Sequence, residues 1–305
     1  MLEEIEVVGF GQACVDYIGS APYFPEENGK VRLNELYLRC GGPIATALVT
    51  LARLGTKTSF IGPISDDLFG EIIIKNFEKE KVDISHIKLI KGYRSQFAFI
   101  SVTDGRRTIF WIPGSFPDIR PEEIDLSLFS NAKILHLDEL MIDASIEAAK
   151  QAKSMGIQVT IDADSLKERI EELFRLVDVL IIPEDMAKRL EGNIYNEEIL
   201  RRLKLLGPKQ VIITLGERGS IGFDGEKIIY QRAFDVVAID TTGAGDVYHG
   251  AYVFGMLKGW DMQRCMKFAS LCAALKCRKI GAQEGAPTLY EAENAFHHLK
   301  LKQNI

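Results

Sequence analysis

The chain lacks the features of several large protein classes. It has no basic excess, since its formal net charge is −6 at pH 7, and this disfavours non-specific binding to nucleic acid. No apolar run approaches the roughly 20 residues that cross a bilayer, so we expect no contact with a membrane. The first residues, MLEEIE, lack the basic region of a secretory signal. We therefore expect a cytoplasmic protein.

Cysteine is also scarce, and its spacing excludes two further classes. The chain has 5 cysteines, an odd number, and most of them stand among apolar residues, as reduced intracellular thiols do. Cys272 and Cys277 have no second Cys or His pair at zinc spacing. We therefore expect neither a disulfide framework nor a structural zinc ion.

Two common phosphate-binding loops are missing as well. No Gly-x-x-x-x-Gly-Lys-Ser/Thr run occurs, which excludes a P-loop kinase. Gly9-Phe-Gly11 follows a predicted strand, but Cys14 stands where a dinucleotide-binding fingerprint has its third glycine. Neither of these two loops is therefore expected to bind a phosphate group in this chain.

The order of predicted elements indicates an α/β fold. Strands at 134–137 and 158–162 flank a helix at 142–155, and this alternation continues towards the C-terminus. Such a pattern favours a doubly wound, mostly parallel sheet covered by helices on both faces. Two β segments, about 14–40 and 94–113, interrupt the N-terminal half. We expect one domain, residues 1–305, from which these segments project as one small sheet.

Local signals predict where several elements begin and end. Gly55 is expected to end the helix over 44–54, and Asp66 to cap a helix that runs to about Glu80. Asp104-Gly105 is a hairpin turn signal. A helix is also predicted over 166–174.

The run DTTGAGDVYHG, residues 240–250, is the most informative stretch. Its centre is a turn of three small residues, Gly243, Ala244 and Gly245, and an apolar run typical of a buried helix follows. The turn is therefore predicted to be a helix N-terminus, where free N–H groups favour an anion. In that field Asp246 could accept a proton from a hydroxyl that attacks a phosphoryl group. The alternative is that Asp246 only caps the helix.

Residues 240–246 resemble the C-terminal signature of the ribokinase-like (PfkB) sugar kinases. A second run, GGPIATALVTLARLG over 41–55, resembles the glycine motif of that family and the helix behind it. The resemblance spans the chain. It implies Mg²⁺–ATP as phosphate donor, a sugar hydroxyl as acceptor, Asp246 as the base and the amides of 243–245 as an anion hole. It also implies that the small sheet is a lid over the sugar and the contact of a homodimer.

The resemblance assigns one group of residues to the sugar: Asp16, Lys30, Gly41, Gly42, Thr46 and Asp138. The carboxylate of Asp16 would accept hydrogen bonds from neighbouring hydroxyls, although an exposed Asp on an edge strand would look the same. Gly41 and Gly42 would let the chain approach the sugar closely, and they also suit a plain strand-to-helix turn. Thr46 stands where many relatives have Asn.

A second group is implied on the nucleotide side: Thr214, Gly216, Gly219, Ser270 and Glu184. The run from Thr214 to Gly219 resembles the family's nucleotide-binding turn at the end of a parallel strand, and a hairpin turn would look similar. Ser270 falls near the family's adenine contact. Glu184 and Ala187 replace the Asn and Glu of the family's Asn-x-x-Glu motif, so Glu184 or Asp185 is expected to act on Mg²⁺ through water.

A third group matches positions where some members bind a monovalent cation through backbone carbonyls, which makes K⁺ a candidate ligand. Its members are Asp240, Thr242, Lys276, Lys279, Gly281 and Gly285.

The sequence does not identify the sugar that accepts the phosphoryl group. Several motif variants in this chain are similar to those of the sulfofructose kinases. The sulfonate of such a substrate would need cationic partners. The predicted lid segments offer five: Lys30, Arg32, Arg94, Arg106 and Arg107. Asp138 and Glu139 at the expected sugar rim instead suit a neutral polyol, and Trp111 could stack on a sugar face or only pack the lid. Two alternatives remain, a nucleoside kinase of the same fold and a catalytically weak sugar-binding regulatory protein.

Overall fold

The computed structural model describes residues 4–296 and 298–302. The described strands are β1 (Val7–Phe10), β2 (Cys14–Ser20), β3 (Glu35–Gly41), β4 (Thr58–Ile61), β5 (Pro63–Ser65), β6 (Lys88–Ile90), β7 (Phe97–Thr103), β8 (Arg106–Ile112), β9 (Ile134–Asp138), β10 (Gln158–Asp162), β11 (Val179–Pro183), β12 (Gln210–Thr214), β13 (Ser220–Phe223) and β14 (Ile228–Gln231). The described α-helices are α1 (Pro43–Arg53), α2 (Leu68–Glu80), α3 (Ile142–Ser154), α4 (Ile170–Phe174), α5 (Glu184–Glu191), α6 (Asn196–Leu205), α7 (Ala244–Leu257), α8 (Met262–Lys276), α9 (Ala282–Gly285) and α10 (Leu289–Phe296).

The main sheet has eight strands in the order β14-β13-β12-β11-β10-β9-β1-β4. The six from β12 to β4 run parallel, and β13 and β14 continue the sheet antiparallel. Strands β1, β4 and β9 are buried at every position, as expected for a parallel sheet that is covered on both faces. The predicted fold class is confirmed.

Two cores lie on opposite faces of this sheet, because successive side chains of a strand point to opposite sides. Val8 and Phe10 of β1 pack into one core with α3. Val7 of the same strand packs into the other with α1, α7 and α8. Helices α1 and α7 of the second core belong to the two glycine-containing runs, 41–55 and 240–250. Burial of these helices therefore fixes both runs against the sheet.

A smaller sheet has the strand order β3-β2-β7-β8. Its pairings place Asp16, Ala98 and Trp111 in one row and Tyr17, Phe99 and Phe110 in the next. Because paired residues share a face and neighbours alternate, Asp16 and Trp111 lie on one face and Phe110 on the other. The turn between β7 and β8 has Asp104 and Gly105 at φ 49° and 72°, which confirms the predicted hairpin.

Three local predictions have different outcomes. Gly55 adopts φ 92° directly after the cap of α1, as predicted. Asp67, and not Asp66, caps α2, because its carboxylate accepts from the Gly70 amide, whereas Asp66 accepts from the amide of Gly92. Helix α4 begins only at Ile170, after Arg169 in the left-handed region. Among the described helices, none is long and apolar enough to cross a membrane.

Candidate active site

The loop before α7 is shaped by one buried carboxylate. Asp240 is completely buried, and its two oxygens accept from the amides of Thr242 at 2.8 Å and Gly281 at 2.9 Å. Gly243 follows at φ 74°, and a Cβ there would come within 2.8 Å of the Ala282 Cα. Only glycine suits this position. The sequence predicted the glycine turn, but the contact with α9 is a tertiary one.

The first turn of α7 opens onto free space. Helix α7 begins at Ala244, and a Cβ on Gly245 would meet nothing within 4 Å. Gly245 is exposed, while Val247 and the residues after it to Gly255 are buried. A helix N-terminus that faces an opening presents N–H groups and a partial positive charge to an incoming anion.

Asp246 lies half-buried in this first turn. Burial, reinforced by the negative charges of Asp162 and Asp164, raises the pKa of its carboxyl to about 7, and Arg107 and His249 act in the opposite direction. A carboxylate with a pKa near neutrality is well matched to accept a proton at physiological pH.

A buried cluster beneath Asp246 was not predicted from the sequence. The Nε2 atom of His249 lies 3.2 Å from Oδ1 of Asp162, and the ring centroid of His136 is 5.6 Å from that of His249. Burial and the adjacent His249 lower the pKa of His136 to about 3, so this ring is neutral. The signal available in the sequence was that His249 follows Asp246 by nearly one helical turn.

Arg107 is a second functional candidate, which the sequence did not single out from the other cations of the predicted lid segments. It projects from β8, and its Nη1 donates to the carbonyl of Thr241 in the loop before α7. Its charge acts to lower the pKa values of Asp16 and Asp246. All five cations of that set are exposed, but no hydrogen bond or ion pair described for Lys30, Arg32, Arg94 or Arg106 reaches the loop before α7. Of the five, Arg107 is therefore the one that the described contacts connect to the site.

Asp16 is nearly fully buried on the same face of the smaller sheet as Trp111. Its Oδ1 accepts from the thiol of Cys14 at 3.2 Å. Burial raises the pKa of Asp16 to about 6. A Cβ on Gly41 would come within 2.9 Å of the Asp16 Cγ, so the glycine gives this carboxylate its room. The alternative of an exposed Asp on an edge strand does not apply here.

The other residues predicted for the sugar occupy varied positions. Gly42 has φ 95° directly before α1, and Thr46 is completely buried in that helix. Asp138 is completely buried, and its oxygens accept from the amides of Gln12 at 2.8 Å and Leu140 at 3.0 Å. Lys30 is exposed between β2 and β3, and no contact described for it reaches Asp246.

Parallel strands bring Thr214, one of the residues predicted for the nucleotide, to the edge where Asp162 lies. Asp162 ends β10 and Thr214 ends β12, with β11 between them. After Thr214, residues Gly216–Arg218 form an exposed 3₁₀ turn, and Gly219 has φ 104°. Ser270 is buried in α8, with its hydroxyl 3.5 Å from the carbonyl of Arg232.

Glu184 has partners that differ from the predicted magnesium role. Its Oε2 is paired with Arg218, and its Oε1 accepts from Asn196 at 3.0 Å and lies 3.1 Å from Nζ of Lys188. Because both oxygens are engaged, Glu184 holds the 216–218 turn against the first turn of α5. Among the described residues, no group of three or more His, Cys, Asp or Glu side chains has the arrangement of a metal site.

The fold, together with the residues at the carboxyl edge of the main sheet, defines a class, the ribokinase-like α/β phosphotransferases. The chain matches the pfkB family carbohydrate kinase model over residues 4–289. It therefore belongs to the pfkB family and is a sugar kinase.

Its relatives include two kinds of sugar kinase. It is 28% identical to a ribokinase of Lactococcus lactis over 295 residues, which cover 95% of this chain and 97% of that protein. It is also 28% identical to a probable fructokinase-2 of Arabidopsis thaliana, with 94% of each chain covered. A solved structure of Arabidopsis thaliana ribokinase complexed with ribose and ATP superposes with a TM-score of 0.82, at 26% identity, over 95% of this chain and 98% of the other.

Proposed function

We propose that this kinase transfers the γ-phosphoryl group of ATP to a primary hydroxyl of a small sugar, with Asp246 as general base. The observation that carries the proposal is the position of Asp246, with a pKa of about 7, in a helix N-terminus that opens onto free space. The carboxylate takes the hydroxyl proton as the sugar oxygen attacks phosphorus. The amides of Gly243 and Gly245 face the transferring group and stabilise its negative charge. The Ala244 amide, predicted with them, already donates to the carbonyl of Thr241 at 3.2 Å.

Arg107 adds a positive charge from the smaller sheet to this arrangement. Arg107 belongs to the smaller sheet, yet it donates to the carbonyl of Thr241. Thr241 lies in residues 240–245, which we call the anion-hole loop. We propose that the smaller sheet is a lid, and that Arg107 connects its closed position to the anion hole. A closed lid excludes water from the phosphoryl group, which protects ATP against hydrolysis.

Magnesium would enter with the nucleotide. Mg²⁺ usually keeps several waters and uses one or two protein carboxylates together with the phosphates. Asp164 is exposed beside Asp162, and their charges act together to raise the pKa of Asp246. This excess of negative charge suits a dication, so Asp162 and Asp164 are the residues that would face it. The bound ion supplies charge neutralisation for the phosphates.

The acceptor face of the site suits a neutral polyol. Asp16 lies in the same row of the lid as Trp111 and Ala98, and it offers an acceptor to sugar hydroxyls, while the exposed ring of Trp111 offers an apolar surface to a sugar face. Asp138 and Glu139 lie buried at the end of β9. Since Arg107 is the one predicted lid cation that contacts the site, the sulfonated sugar stays a weaker prediction than a neutral one.

Two further proposals concern the state of the protein. Leu36, Leu38 and Phe110 are exposed on the face of the lid opposite to Asp16. Exposed apolar faces and open strand edges of this kind are usually covered, which supports a homodimer through the lid. The cytoplasmic location also stays a prediction, and five free thiols, four of them buried, are consistent with it.

ADP production tests the kinase proposal directly. A panel of ketoses, pentoses, sugar phosphates and nucleosides is assayed with Mg²⁺–ATP. We expect turnover with an unphosphorylated sugar. Turnover confined to nucleosides would favour the nucleoside kinase, and binding of sugars without any turnover would favour a regulatory protein.

Asp246→Asn tests the role of the base in the same assay. We expect turnover to fall at least ~100-fold, the usual scale for a lost general base, with a small change in ATP affinity. Near-normal turnover of the folded variant would refute the assignment of Asp246.

A further inference from the structure

A lysine ammonium is buried directly behind the anion-hole loop. Lys276, the last residue of α8, has 0% of its surface exposed. Its Nζ donates to the carbonyl of Asp240 at 2.6 Å and to that of Lys279 at 3.4 Å, and it lies 3.6 Å from Oδ2 of Asp240. An ammonium has three N–H donors and no acceptor, so these three oxygens surround it with suitable partners.

This ammonium joins three segments of the chain. The Asp240 carboxylate bonds the amides of Thr242, in the anion-hole loop, and Gly281, before α9. The amides of Ile239 and Asp240 in turn donate to the carbonyl of Cys277, next to Lys276. The loop before α7 is therefore held to the end of α8 and the start of α9 around one buried ion pair.

The packing around the lysine stem is equally close. A Cβ on Gly285 would come within 2.9 Å of Cγ and 3.0 Å of Cε of Lys276. Glycine at this position of α9 thus leaves the room that the stem occupies. The residues predicted to hold K⁺ do converge here, but the Asp240 carbonyl and the Lys279 carbonyl already accept from an ammonium. The site does not fit an exchangeable monovalent cation.

We propose that Lys276 supplies, from within the chain, the positive charge that fixes the anion-hole loop, so that the protein needs no exchangeable monovalent cation. Lys276 is a positioning residue, since its contacts are with the loop and not with the opening in front of Gly245. The effect on turnover rests on the proposed kinase function. The effect on cation binding does not, because it concerns the folded protein alone.

The test compares the wild type with Lys276→Met, which keeps the stem and removes the charge. Thermal unfolding and turnover are measured in KCl, in NH₄Cl and in tetramethylammonium chloride at one ionic strength. We expect the wild type to give the same Tm and turnover in all three salts. We expect the variant in tetramethylammonium to lose at least ~10-fold in turnover, because a small displacement of reacting groups costs up to ~100-fold.

K⁺ or NH₄⁺ should then occupy the vacated oxygens of the variant. We expect either ion to raise its Tm by at least ~2 °C over tetramethylammonium, because a ligand of the native state stabilises it, and to restore part of its turnover. The matched control is Lys267→Met on the same helix, whose Nζ lies over the ring of Phe296. This control should respond to the three salts as the wild type does.

Several results would overturn the proposal. One is a wild type that K⁺ activates or stabilises relative to tetramethylammonium. Another is a folded Lys276→Met protein with full turnover in tetramethylammonium, or one that has lost turnover and responds to neither small cation. If the variant does not fold, the wild-type salt comparison decides alone. If the wild type phosphorylates no sugar, the kinase proposal fails, while the Tm comparison still tests the role of the lysine.

Discussion

At the scale of single residues, the proposed chemistry depends on how neighbouring groups shift the pKa of one carboxyl group. Burial and the charges of Asp162 and Asp164 raise the pKa of Asp246, while Arg107 and His249 lower it. The result is a pKa of about 7, which leaves the group basic enough to take a proton and still largely ionised above neutrality. A lone aspartate in water, with a pKa near 3.9, would be a far weaker base.

This tuning predicts an acid limb in the pH dependence of kcat/KM. Since Asp246 must be ionised to act as the proposed base, kcat/KM for the sugar should fall as pH drops below about 7, by about tenfold per unit. Initial rates between pH 5.5 and 9 measure this limb. Arg107→Met removes a cation that lowers this pKa, so it should move the limb to higher pH. A flat wild-type profile from about pH 5.5 to 8 would contradict the assignment.

At the scale of elements, helix α2 shows how tertiary contacts select between two adjacent candidate caps. Both Asp66 and Asp67 can cap a helix. Asp67 does so because its carboxylate also accepts from the amide and the hydroxyl of Ser95, at 2.7 Å and 2.6 Å, two residues before β7. The cap therefore also attaches α2 to the start of the lid hairpin.

Alanine substitutions at the two positions separate these roles. Asp67→Ala should lower the free energy of unfolding by about 2–3 kcal/mol, the sum of a lost cap and an unpaired Ser95 amide. Asp66→Ala, which removes one exposed bond to Gly92, should cost less than ~1 kcal/mol. Urea unfolding followed by circular dichroism gives both values. Equal losses would show that the cap does not depend on Ser95.

At the scale of the whole molecule, the two faces of the smaller sheet are proposed to contact different partners, the sugar on one face and a second subunit on the other. One face carries Asp16, Arg107 and Trp111, which we propose to face the site, and the opposite face exposes Leu36, Leu38 and Phe110. Alternation along a strand makes this division possible. Neighbouring residues of β8 can therefore take part in unrelated functions.

Adjacent substitutions on β8 test this division. Phe110→Asp should convert the proposed dimer to a monomer, because a charge would enter the apolar contact. Trp111→Ala should leave the dimer intact and raise KM for the sugar about tenfold or more, since it removes a large contact surface. Sedimentation velocity reports the first effect and steady-state kinetics the second. A wild type that is monomeric at micromolar concentration would rule out the proposed dimer.

The sequence by itself determined the fold class, the glycine turn before α7 and the position of Asp246 in the first turn of that helix. The pattern of hydrophobic residues, the glycine residues and proximity along the chain are all local signals. It also indicated that residues 240–242 and 276–285 meet, through the family resemblance. Tertiary structure alone decided that Asp67 caps α2, that Arg107 reaches the loop before α7, and that Glu184 is held by Arg218. It also decided that the charge held by Asp240, behind the proposed anion hole, is the ammonium of Lys276. Each of these outcomes depends on which distant groups come within hydrogen-bonding distance and lose their water, and no local pattern encodes that.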